Sequence, residues 1–112
     1  MRGHNVLQNV KKIIQKIVED YNNGWILCSD RMPEEHDSIF AKLKGTDKWN
    51  DNMHEKVSDW VNVTVTDRYS NTITTYAHTV EGEWRCDLLR LDKSYKIIAW
   101  QPFPEPYHIT RG

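Results

Sequence analysis

Apolar residues recur at three- and four-residue steps through the first segment of the chain. Val6, Leu7, Val10, Ile13, Ile14, Ile17 and Val18 fall on one side of a helical wheel, with Gln8, Lys11, Lys12, Gln15 and Lys16 opposite. That spacing predicts an amphipathic helix within residues 1–23. Asn5 stands where an N-cap belongs, and Asn22-Asn23-Gly24 supplies residues that tolerate the left-handed conformation of a helix end. Glu19 and Asp20 lie near the negative end of the macrodipole, so the helix depends on docking its apolar face. Packing on its own domain is the expectation, ahead of dimerisation, because the stripe is short for a coiled coil.

After Gly24 the period shortens. Trp25-Ile26-Leu27-Cys28 reads as a strand that turns at Pro33, and Ser38 to Leu43 as a second. Residues 44–59 form a polar stretch rich in turn formers, read as a loop with one helical turn around Met53 to Val57. Val61, Val63 and Val65 alternate with Asn62, Thr64 and Thr66. A turn at Asp67 to Asn71 leads into Thr72 to Val80, and Glu81-Gly82 suits a tight hairpin into Glu83-Trp84-Arg85-Cys86. Tyr95 to Trp100 reads as the last strand, closed by Pro102, Pro104 and Pro106. The predicted fold is α+β: an N-terminal amphipathic helix packed on a mainly antiparallel sheet of about five strands. It forms a single domain over 1–112, in which a β-rich region spans 24–107 and carries the polar loop 44–59.

The chain has 112 residues, with 15 Lys plus Arg against 16 Asp plus Glu and a net charge of −1. This balance argues against nucleic acid or an anionic membrane as partner, since both draw on clustered cations. Lys11, Lys12 and Lys16, and Lys42, Lys44 and Lys48 near Trp49, form two small basic sets. Asp47, Asp51, Glu55 and Asp59 interrupt the second. No apolar run reaches a bilayer span, and the first residues lack the order of a signal peptide, so a cytoplasmic chain with Cys28 and Cys86 reduced is expected.

Two blocks stand out together: Trp25-Ile26-Leu27-Cys28-Ser29-Asp30-Arg31-Met32-Pro33-Glu34, and Ala99-Trp100-Gln101-Pro102-Phe103-Pro104-Glu105-Pro106. In that order they resemble the opening and closing signatures of the domain of unknown function 551 family, small proteins common in phages and prophages. The chain departs from the family pattern at Ile98-Ala99, Gln101 and Tyr107. The resemblance implies a phage or mobile-element context and supplies no catalytic residues. Read physically, Trp25, Arg31 and Trp100 with the prolines form a lid on the core, Arg31 pairing Asp30, Glu34 or Glu105 or stacking on an indole. The same residues also offer the types that concentrate interface energy.

Reactive side chains are dispersed. His4, His36, His54, His78 and His108 show no metal-ligand spacing, and Glu34-Glu35-His36-Asp37 reads as a solvated run. Cys28, Cys86 and His78 offer a weak thiolate arrangement, in which the hairpin register would set His78 against Trp84. Glu81 and Glu83 read as solvent-facing. The sequence therefore favours a non-enzymatic protein-binding module without cofactor or metal, acting on a host or phage protein, as an inhibitor of a host defence or nuclease system would. The alternatives are a small metal- or thiol-dependent enzyme and a single-stranded nucleic-acid-binding domain. Expected binding residues are Trp25, Arg31, Trp49, Trp60, Trp100, Phe103 and Tyr107, and the expected state is monomer or homodimer.

Overall fold

The computed structural model describes residues 2–109, with side chains from Val6 onward. The apolar stripe forms α1, Arg2–Tyr21. This helix starts upstream of Asn5, whose side chain lies outside the described residues. It stops where the sequence signals: Asn23 and Gly24 adopt φ of 60° and 81°, and the Gly24 N–H donates to the Glu19 carbonyl at 2.6 Å.

The strands are β1 Ile26–Leu27, β2 Glu35–Asp37, β3 Lys56–Ser58, β4 Val61–Thr66, β5 Thr72–Val80, β6 Glu83–Arg85 and β7 Lys96–Pro102. A short helix, α2 at Asp87–Leu91, joins the last two. All pair antiparallel in the order β1-β7-β4-β5-β3-β2, and β6 pairs with β5 as well. This is the mixed α+β architecture that the patterning predicts. Four of the seven strands have only two or three residues, too few to display a period of two, hence the higher strand number.

The alternation along β4 decides the core. Val61, Val63 and Val65 are buried on one face, together with Ile26, Ala77, Cys86 and Trp100, while Asn62, Thr64 and Thr66 point the other way. Trp84, Leu88 and Leu89 from the β6–α2 segment cover the core from outside. Helix α1 meets the sheet through its last turn, where Val18, Glu19 and Asn22 border a shallow cleft with Trp25, Leu27 and Ala99. The contact thus lies elsewhere than the packed stripe expected from the sequence: Leu7, Ile13 and Ile17 are about 60% exposed.

Two local expectations change. Ser38 to Leu43 is no strand: the Ser38 hydroxyl donates to the His54 carbonyl and accepts the Phe40 N–H, folding the chain into a 3-10 turn at Ala41–Leu43. Met53 to Val57 is no helical turn, because Lys56 to Ser58 enters the sheet as β3 within the stretch read as loop. Glu81 faces solvent, as the sequence suggests, but its carboxylate is engaged. It takes φ 51° beside Gly82 at φ 82°, giving the two-residue hairpin both positive angles, and its carboxylate accepts the Glu55 N–H at 2.8 Å and the Lys56 N–H at 3.3 Å. These donors hold its pKa below the ordinary glutamate value.

β5 passes from one neighbour to the next across an irregularity. Val61 pairs with Ala77, but Val57 pairs with Val80, so one extra residue is accommodated between β3 and β4. The ladder acceptor lost there is replaced by a side chain: the buried Ser58 hydroxyl accepts the Thr79 N–H at 2.8 Å. Ser58→Ala leaves that donor unsatisfied and lowers unfolding free energy by about 1–3 kcal/mol in urea denaturation. Ile39→Ala, at an 81% exposed site, changes it by less than about 0.5 kcal/mol.

Candidate functional site

The bulge between β3 and β4 sets Trp60 outward at 48% exposure, at the meeting point of three clefts. The first, with a volume of about 650 Å³, lies between the loop after β1 and the end of β7. Met32, Pro33, Trp60, Trp100 and Phe103 give it apolar walls, and Arg31, Glu34 and Asp59 contribute polar groups. Trp100 is 8% exposed and donates its indole N–H to the Arg31 carbonyl at 2.8 Å, which ties the loop to the sheet. Phe103, 47% exposed, follows directly after the Pro102 that ends β7.

The polar groups are not equivalent. Arg31 Nη1 lies 2.7 Å from Glu19 Oε1 on α1, so its partner is neither Asp30, Glu34 nor Glu105. Asp59 lies 2.8 Å from His36 Nε2, while His36 Nδ1 lies 3.0 Å from the Asp37 carbonyl. With acceptors facing both ring nitrogens, the doubly protonated ring is favoured, and the His36 pKa is raised, first by the Asp37 carbonyl and then by Asp59. Glu34 has no ion pair among the described residues. The cleft therefore joins apolar walls to an acidic edge.

On its other side Trp60 stacks on His78, with centroids 4.0 Å apart and planes at 20°, and meets Tyr76 edge-on at 5.7 Å. His78 pairs across the hairpin with Arg85, and Thr79 with Trp84. The Trp84 placement expected for His78 is thus one residue off, and that slip inverts the face. Burial and then the Arg85 charge lower the His78 pKa. Arg85 and Arg90 line the adjoining cleft of about 440 Å³.

Of the seven residues singled out by the sequence, Arg31, Trp60, Trp100 and Phe103 converge on the first cleft. Trp25 sits apart beside Val18 and Glu19, Trp49 is half-buried in the turns after Gly45, and Tyr107 is 89% exposed on the arm beyond β7. Sequence reasoning passed over Tyr76, Arg85, Glu34 and Asp59 as site residues. A two-residue hairpin loop at Glu81-Gly82 fixes Val80 opposite Glu83, so counting outward from it would have found the His78–Arg85 pair. His78, Cys86 and Asp87 border one cleft, but no hydrogen bond joins them, and Cys86 is 8% exposed within the core. Burial raises the Cys28 pKa, which disfavours its thiolate. Among the described residues no three His, Cys, Asp or Glu side chains are grouped to hold a metal ion. No helix there is long and apolar enough to cross a membrane.

No family model, curated protein or solved structure matches the chain.

The two histidines titrate on opposite sides of 6.5, the ordinary histidine value. In NMR titrations the His36 midpoint lies above it and the His78 midpoint below it, and Arg85→Gln moves His78 upward by removing the second of its two causes. The linkage signs differ accordingly. The His78 contribution to stability is present above pH 6.5 and fades as pH falls, whereas that of His36 is present below 6.5 and fades as pH rises through its raised pKa.

Proposed function

We propose that this chain is a non-enzymatic protein-binding module, and that the cleft walled by Trp60, Trp100 and Phe103 takes a peptide segment with an apolar or aromatic anchor beside a Lys or Arg. The observation that supports this most is the convergence of these three rings, Trp60 from the β3–β4 bulge and Trp100 and Phe103 from the end of β7, next to Glu34 and Asp59. Large rings that a bound segment would desolvate provide anchor energy, and the acidic edge supplies preference for a cation beside the anchor. The resemblance to phage and prophage proteins makes a host protein the partner in this reading, and inhibition of a defence or nuclease system the consequence of occupying it. Peptide display on the immobilised protein tests it. The expected enrichment is for sequences pairing an aromatic, Leu or Pro anchor with Lys or Arg, and Trp60→Ala weakens their affinity at least about tenfold, or 1.4 kcal/mol, with the far-UV spectrum unchanged. Equal binding to Trp60→Ala, or no enrichment at all, overturns the assignment.

One observation favours a second reading, single-stranded nucleic acid. The Trp60–His78 stack lies beside Arg85 and Arg90, an aromatic platform next to two guanidinium groups, neither of them in an ion pair among the described residues. Under it, labelled oligonucleotides bind with an affinity that falls as salt rises, and replacing Arg85 and Arg90 by Ala flattens that slope. Binding without salt dependence, or none, removes the reading.

A further inference from the structure

We propose that α1 is a self-association element that pairs antiparallel with α1 of a second copy of this chain. This inference is independent of the cleft. At about 100° per residue, Val6, Leu7, Val10, Ile13, Ile14, Ile17, Val18 and Tyr21 occupy one arc of roughly 140°, with every polar side chain from Gln8 to Asp20 outside it. All eight are 44–88% exposed, so the domain's own sheet does not cover them.

The area fits a protein partner of the same length. Aliphatic side chains exposed to this degree offer roughly 700 Å² on one helix, close to the ~800 Å² per partner of a standard interface and above the patch a monomer ordinarily leaves in water. The composition separates this from a lipid surface. Six of the eight are β-branched Val or Ile, which lose little side-chain freedom on packing, and the arc contains neither Trp nor Phe. Its borders carry Lys11 on one side and Asp20 on the other rather than cations on both.

Charge order selects the antiparallel arrangement. The first turn holds no acid and the last turn no base, and the acids near the C-terminal end are already paired, Glu19 with Arg31 and Asp20 with Lys16, so the helix dipole itself sets the polarity of the two ends. A parallel pair would bring like ends together. An antiparallel pair centred on Ile13 and Ile14 sets the negative end of each helix dipole against its partner's positive N-terminal end, opposing Val10 to Ile17 and Val6 to Tyr21. A two-fold axis makes this interface isologous and closed at two chains.

Sedimentation equilibrium of the full chain, run up to about 100 μM where even micromolar pairing is populated, is expected to give twice the 13.3 kDa chain mass. Ile13→Asp combined with Ile17→Asp should return the mass to 13.3 kDa with the near-UV spectrum of the tryptophans retained. A second measurement avoids charges in the arc: an oxidised equimolar mixture of Val6→Cys and Tyr21→Cys chains yields mainly the mixed disulfide dimer. A monomeric wild-type chain overturns the proposal, and flotation of that monomer with anionic vesicles would assign the face to lipid instead. Disulfides that join the introduced cysteines of two like-substituted chains, with Cys28 and Cys86 left free, overturn the antiparallel arrangement, and a dimer that survives the double Asp substitution with its helix content lost overturns α1 as its seat.

Discussion

The indole N–H of Trp100 donates to the carbonyl of Arg31 at 2.8 Å, across a separation of 69 residues. Trp100 stands opposite Ile26 on one side and Val63 on the other, so its ring fills the centre of the sheet while its single donor reaches the loop after β1. A buried indole without a partner would leave a polar group stranded in the core, and the loop supplies that partner only when Met32 and Pro33 lie where the cleft has its wall. Core packing and cleft shape are therefore one constraint. This also explains physically why the two terminal sequence blocks look like a pair: one carries the donor, the other the acceptor.

A second dependence runs through the discontinuity between β3 and β4. A continuous ladder along β5 would lay residue 60 flat in the sheet. The extra residue releases it, Ser58 replaces the missing acceptor, and Trp60 turns onto His78. Glu35 binds the same region from the far edge, accepting the Thr79 hydroxyl at 2.7 Å and the Gly82 N–H at 2.9 Å. Carboxylates do much of the positioning here: Glu35 and Glu81 accept backbone N–H groups of the hairpin turn and β3, and Asp59 meets the His36 ring, while Glu34, His36 and Asp37 stay exposed as a solvated run would.

The sequence made legible what depends on period and on turn chemistry. Helix α1, the alternation of β4, the length of β5 and the hairpin at Glu81-Gly82 follow from residue spacing, and the structure has them. The sequence concealed what depends on tertiary pairing. β2 and β3 have three residues each and are strands because they find each other, and α2 has five, too few to show a helical stripe. Within the cleft, Trp100 and Phe103 were visible as large rings near a strand end. Glu34 and Asp59 were not, because nothing local distinguishes an acid on a cleft edge from one in a loop. The docking of α1 failed to follow from its stripe for a related reason: amphipathicity says that a face will be covered, not by which surface.

Arg31 links the two parts of the molecule through chemically separate atoms. Its carbonyl belongs to the Trp100 bond, and its guanidinium to Glu19, whose side chain is 15% exposed in the last full turn of α1. An acid at that position is unfavourable for the helix alone, since it meets the negative end of the macrodipole. A cation brought by the loop offsets the charge of that carboxylate. Gln101, donating its Nε2 to the Asn23 carbonyl at 2.9 Å, fixes the same junction from β7. The helix is thus anchored at its C-terminal end by the very loop and strand that form the cleft, while its apolar length projects from that anchor. One small junction sets both the cleft's wall and the direction in which the exposed helix face points.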